Sequence, residues 1–333
     1  MPKGTKEALG KAPLFAFRLS HPPANPFLPV IGGSCDAQRM GAAPVSRFCR
    51  EPDGPHARRI FRPYPGLSTG WRRPHAAGPL RPDRFFFHYA AMRLTFHGSV
   101  LILGGSSDLG RALALALCAE GAQVCCACRD DAGCARCAQD GLPALVLADP
   151  ETLPARCEAL LGRPVGHLAD LLHSRFEQLV ALAAPGAIER WADDDIALRA
   201  RCLRAVGRAM LARRFGRCVF VSSSAAQRPS PGQGWYAAAK LAGEGLYRSL
   251  GVELAGRGLS ACSVRLSWLD AGRGHEFLSR HGQVARAMPA GRCLGPDEVL
   301  PGLCFLLSAE AAAINGSVVT LDGGLGALKL PEL

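Results

Sequence analysis

"SVLILGGSSDLGRALALALCAEGAQVCCAC", residues 99–128, decides how the chain is to be read. Val100 to Leu103 are apolar without alternation, the pattern of a strand buried on both faces. A glycine-rich bend follows at 104–110, then a run of small and apolar residues that suits a buried helix stopping at Gly121. "QVCCAC" is a second apolar run. A strand, a tight bend, a helix and a strand in so short a stretch make a βαβ unit with parallel strands.

The rest of the chain repeats the rhythm. "PALVLAD" reads as a third strand and "ETLPARCEALLG" as a helix, while "HLADLL" is ambiguous. A long helix is expected through "DDDIALRARCLRAVGRAMLARRFG", with arginines on one face and Gly216 as its stop. "RCVFVSS" is a strand, followed by a helix running toward Gly256 and a further strand, "LSACSVRLS". "GPDEVLPGLCFLLSAE" is a helix with Pro296 near its start, and "SVVTLDGG" closes the pattern. Strands alternating with helices predict an α/β fold: a doubly wound parallel sheet, the Rossmann fold, in a single domain at 92–333.

Residues 1–91 differ in kind. They hold 14 of the 25 prolines, which block both helix and central strand, so a disordered segment is expected there. They also hold 14 Lys and Arg against 5 Asp and Glu, most of the chain's net charge of +11. The remainder is close to neutral, which argues against a nucleic-acid-binding surface. An arginine-rich transit peptide and a translation start at Met92, where "MRLTFHGSVLILGG" opens a compact pattern, both stand as readings. Nothing approaches the roughly 18 consecutive apolar residues of a membrane span.

Of 14 cysteines, five lie in "CCACRDDAGCARC", residues 125–137. Cys134 and Cys137 form a CxxC, but Cys125, Cys126 and Cys128 fall in the strand pattern with neighbours facing opposite sides. Buried thiols behave as small hydrophobes, and a zinc site needs about four convergent ligands. No metal is expected, and the compartment is read as reducing, with a cytoplasmic location.

Two features carry chemistry. "LGGSSDLGR", 103–111, joins the first strand to the first helix, where glycines let a backbone approach a pyrophosphate and a helix N-terminus supplies free N–H groups. Tyr236 and Lys240 stand four apart in "WYAAAK" and share a helix face. Together these residues resemble the short-chain dehydrogenase/reductase family over nearly all of 93–328. The family motif Thr-Gly-x-x-x-Gly-x-Gly matches at Gly104 and Gly110, with Leu103 in place of the threonine and Asp108 in place of the middle glycine. Its Tyr-x-x-x-Lys pair is Tyr236 and Lys240, and its serine lands on Ser223.

The resemblance implies an enzyme similar to 3-oxoacyl-carrier-protein reductases and polyketide-type ketoreductases: an NADPH-dependent oxidoreductase reducing a ketone to an alcohol. Tyr236 would donate the proton. A lysine one turn away favours the phenolate, since a free tyrosine has a pKa near 10, and Lys240 would also hold the nicotinamide ribose. Ser223 would orient the carbonyl. Gly104, Ser106, Ser107, Asp108, Leu109 and Gly110 would form the cofactor cradle, Arg129 would meet the 2′-phosphate, and Asp149 would lie beside the adenine. NADP is favoured over NAD, and Arg111 could assist.

Three departures are expected to matter. "DLLH", 170–173, replaces the family's Asn-Asn-Ala-Gly, so leucine and histidine would crowd the nicotinamide side. Asp195 replaces the asparagine of the proton relay, and Leu266 and Ser267 replace a Pro-Gly. They keep alive a second reading, a cofactor-binding but weakly active relative acting as a partner or regulatory subunit. The segment "WLDAGRGHEFLSRHGQVARAMPAGR" would form a flexible lid over a small-molecule carbonyl, free or on a carrier protein. The resemblance further implies a homo-oligomer, dimer or tetramer, and no nucleic-acid or membrane partner.

Overall fold

The computed structural model describes residues 93–174 and 176–328; the expected disorder of 1–91 and a start at Met92 lie outside them. Seven strands alternate with helices: β1 (Ser99–Leu103), α1 (Asp108–Ala119), β2 (Gln123–Cys128), α2 (Asp131–Gln139), β3 (Ala144–Val146), α3 (Leu153–Leu161) and β4 (Val165–Asp170). Then come α4 (Pro185–Trp191), α5 (Leu198–Arg213), β5 (Gly216–Ser223), α6 (Gly234–Leu254), β6 (Leu259–Leu266), α7 (Gly272–Arg280), α8 (Gly282–Arg286), α9 (Pro296–Leu307) and β7 (Val318–Leu321). The strands form one parallel sheet in the order β3-β2-β1-β4-β5-β6-β7. The order reverses between β1 and β4, which opens a crevice at their carboxyl ends.

Period-two alternation divides β1 to β6 between two cores. Val100 and Ile102 pack with Leu113, Leu117, Val299 and Leu303 on one face. Leu101 and Leu103 pack with Leu153, Val206, Met210 and Tyr247 on the other. The cysteine run obeys the same rule, Cys126 and Cys128 going to the first face and Cys125 to the second.

The ambiguous "HLADLL" begins inside β4: His167 to Asp170, apolar and polar alike, are enclosed by β1 and β5, and Leu171 and Leu172 follow the strand's end. The long helix through 192–214 does not end on Gly216. Its first turn is a π-helix, Ala192–Ala197, and its end is capped by Arg214 in the left-handed conformation at φ 55°, so Gly216 begins β5 instead. A Cβ at Gly216 would lie 2.5 Å from Met210 Sδ, so a side chain there would displace that methionine. The segment expected to form a lid holds two helices, α7 and α8.

His167 on β4 is fully buried, edge-on to the rings of Phe96 and Phe215. Its Nδ1 donates to the Leu307 carbonyl at 2.6 Å. Burial pulls its pKa down from 6.5 to about 4. The unfolded chain therefore binds this proton first as pH falls. Stability is expected to drop between pH 6.5 and 4, by up to ~3 kcal/mol at 1.36 kcal/mol per pKa unit. Urea unfolding at several pH values checks this. A slope no steeper in the parent than in His167→Gln would contradict it.

Candidate active site

The bend after β1 is built from contacts that only glycine permits. Gly104 has φ +75°, and its N–H and that of Gly105 both donate to the Ala127 carbonyl, at 3.0 and 3.2 Å. A Cβ on Gly110 would lie 2.7 Å from the Gly104 carbonyl oxygen and 2.9 Å from that of Gly105. Ser107 caps α1: its hydroxyl donates to the Gly104 carbonyl and accepts from Gly110 N–H. The Leu109 side chain packs on the core, while the first-turn N–H groups of Asp108 and Leu109 have no preceding turn to bond. Ser106 faces the start of α2, its Oγ 3.0 Å from where a Cβ on Gly133 would sit. Cradle and helix N-terminus thus suit a pyrophosphate.

At the end of β2, Arg129 is exposed. Asp130 is committed to α2, accepting the Gly133 N–H at 2.7 Å as its N-cap. Arg111 lies between two carboxylates, its Nη2 3.9 Å from Asp108 and its Nε 3.3 Å from Asp140. Asp149 is exposed and accepts from Glu151 N–H at 3.0 Å. The segment after β6 meets the glycine bend: a Cβ on Gly272, at the start of α7, would be 2.6 Å from Asp108 Oδ2. Within the lid, Trp268 and Phe277 stack at 4.5 Å.

Tyr236 and Lys240 lie one turn apart in the first half of α6. Lys240 is buried, with Nζ donating to the Val221 carbonyl at 2.7 Å and lying 5.4 Å from the Tyr236 ring centre. Ser223 ends the strand that supplies that carbonyl, two residues on, and its Oγ accepts from Ala225 N–H at 3.2 Å. Strand β5 therefore presents the serine and anchors the lysine together.

The "DLLH" segment resolves into separate fates. Leu171 enters one core and Leu172 packs against the other. His173 alone turns to the site, its ring 6.1 Å from that of Tyr236 at 86°. Its Nδ1 is 2.9 Å from the Ser174 carbonyl and so carries a proton. Asp195 is buried, but its carboxylate accepts both the N–H and the hydroxyl of Ser174.

One cluster was not anticipated. Glu244 on α6 accepts the Ser222 hydroxyl at 2.6 Å and a two-point bond from Arg265 at 2.7 Å. Burial raises its pKa, but the bonds from Arg265 and Ser222 bring it below the ordinary value. This pair ties α6 to β5 and β6 and so steadies the helix that bears Tyr236. Its signal was present in phase: Glu244 follows Lys240 by four residues. Among the described residues, no group of three or more His, Cys, Asp or Glu is arranged to hold a metal, and no helix is long and apolar enough to cross a membrane.

Known proteins resemble this chain in both sequence and structure. The family model described as Enoyl-(Acyl carrier protein) reductase matches residues 196–326. The 3-oxoacyl-[acyl-carrier-protein] reductase FabG of Escherichia coli is 31% identical over 244 residues, covering 70% of this chain and 99% of that protein. Protein MoaE of Klebsiella aerogenes is 29% identical, over 70% of this chain and 97% of that one. Among solved structures, an oxidoreductase of the short-chain dehydrogenase/reductase family from Burkholderia thailandensis superposes with a TM-score of 0.64 at 25% identity, over 71% of this chain and 95% of that chain. Another protein of the same family gives 0.62 at 26% identity, over 71% and 100%.

Proposed function

The chain belongs to the short-chain dehydrogenase/reductase family of oxidoreductases, and from that premise we propose that it is an NADPH-dependent ketoreductase acting through Tyr236. The observation that carries this reading is the joint placement of Tyr236, buried Lys240 and Ser223 around the end of β5, beside a cradle that side chains would fill. NADPH, when bound, supplies the hydride.

As hydride reaches the carbonyl carbon, negative charge grows on its oxygen. The Tyr236 hydroxyl donates its proton to that oxygen, and the Lys240 charge, 5.4 Å from the ring, stabilises the phenolate left behind. The Ser223 hydroxyl donates a second hydrogen bond to the oxygen and holds the carbonyl in line. The domain that does this is residues 92–333, and the substrate is a 3-oxoacyl thioester or a similar ketone, free or on a carrier protein. The working form is a dimer or tetramer.

NADPH is preferred over NADH because the strand edge offers Arg129, while Asp130 is occupied as a helix cap and less able to accept a ribose hydroxyl. One charge-assisted bond to the 2′-phosphate is worth about 1.5–3 kcal/mol, roughly 10–100-fold in affinity. Titration of both nucleotides against the parent and Arg129→Asp is expected to show that preference shrink or reverse. An unchanged ratio would remove Arg129 from the site.

The second reading, a cofactor-binding relative of low activity, draws on Asp195, whose carboxylate is taken up by Ser174. Turnover of an acetoacetyl thioester separates the two. Tight NADPH binding with no turnover on a broad carbonyl panel would favour the second.

A further inference from the structure

Beneath the site lies a charged group that this chemistry does not use. Asp170, at the end of β4, is fully buried, and Arg199, in the first turn of α5, is 1% exposed. Arg199 Nε donates to Asp170 Oδ2 at 3.0 Å, and the Tyr247 hydroxyl donates to the same oxygen at 3.1 Å. The rest of the guanidinium meets backbone: Nη1 donates to the Asp195 carbonyl and Nη2 to the Leu172 carbonyl. Asp170 Oδ1 accepts the Leu172 N–H at 2.9 Å.

Burying two charges costs about as much as their attraction returns, so packing alone gives no reason for the pair. What an apolar pair cannot do is bond several anchors at once through a rigid planar fork. Here the anchors are alternate residues of one segment. Arg199 takes Asp170 and Leu172, and Asp195, four residues earlier, takes Ser174. His173 is held between the last two, edge-on to Tyr236. The guanidinium also lies 4.8 Å from the Phe220 ring centre, and Lys240 Nζ lies 5.0 Å from the same ring.

We propose that Arg199, paired with Asp170, is a positioning residue of the reductase site: its guanidinium sets where His173 and the Asp195 carbonyl stand relative to Tyr236 and Lys240. This rests on the ketoreductase reading above.

The test uses the full chain, with Arg199→Gln, Asp170→Asn and the double variant. Melting temperature, NADPH affinity, kcat and KM are measured for each. Arg199→Gln leaves an unpaired buried carboxylate and is expected to melt well below the parent. The double variant removes both charges and is expected to regain most of that loss. Its NADPH affinity stays within about threefold of the parent, while its kcat remains at least tenfold down with KM little changed. A fourth measurement needs no turnover. The chain has four tyrosines, so with carbon-13-labelled tyrosine the Tyr236 signal is identified by its loss in Tyr236→Phe. That signal is expected to leave its parent position in the double variant. If the double variant regains both melting temperature and kcat, with the Tyr236 signal unmoved, the pair is packing alone and the proposal is overturned. Should the parent bind NADPH yet reduce nothing, the ketoreductase reading fails, and the Tyr236 signal still decides whether Arg199 positions that residue.

Discussion

Tyr236→Phe is expected to cut NADPH-dependent carbonyl turnover about 10²–10⁴-fold, the range contributed by a positioned proton donor. The variant loses one hydroxyl and keeps the ring. Its edge contact with His173 and its place above Lys240 should therefore survive, and NADPH affinity should stay within about threefold. Lys240 retains its bond to the Val221 carbonyl, so α6 keeps its seat on β5. Loss of the reduced-nicotinamide absorbance gives the rate, and nucleotide fluorescence gives the affinity. Turnover within tenfold of the parent would mean that another group delivers the proton. His173 would then be the first to examine.

Gly110→Ala acts on the other half of the site. The added methyl would stand 2.7 and 2.9 Å from two backbone carbonyl oxygens and 2.9 Å from Ser107 Oγ. Backbone oxygens cannot swing aside as a side chain can, so the bend itself must open. Overpacking of this kind costs about 1–3 kcal/mol. Where that cost falls on the cradle, NADPH affinity drops roughly 10–100-fold. Gly245→Ala is the matched control, because nothing lies within 4 Å of its Cβ and it sits inside α6. It should leave affinity unchanged and raise stability by up to about 1 kcal/mol. Equal affinities for the two variants would show that nucleotide does not use the bend.

The fold was legible because buried parallel strands announce themselves. "SVLILGG" and "RCVFVSS" are unbroken apolar runs, and each is followed by a helix pattern. The glycine bend, Tyr236 and Lys240 could be found because backbone approach and shared helix faces depend on local spacing. Arg199 is hard to single out among the arginines expected on one face of the long helix, yet it sits in phase with Cys202, Leu203, Val206 and Met210, the buried side of that helix. Its partner Asp170 is brought to it by the sheet, across a separation that no local pattern encodes. "HLADLL" is ambiguous for the same reason: the enclosed strand carries His167 and Asp170 because distant groups, Leu307 and Arg199, satisfy them. The π-helix before α5 left no mark in composition.

The strand reversal at β1 also governs how the chain assembles. All six strand pairs are parallel, so no pairing can begin from a hairpin, and every contact in the sheet waits on a crossover. Leu103 stands beside Ala127 on one side and Asp170 on the other. The crevice between those neighbours does not exist until the later half of the chain has returned across β1. A nucleotide that binds there recognises only the finished topology and adds its binding energy to that state alone. Any chain caught earlier exposes the bare edge of β1, where pairing with a second molecule competes with completion.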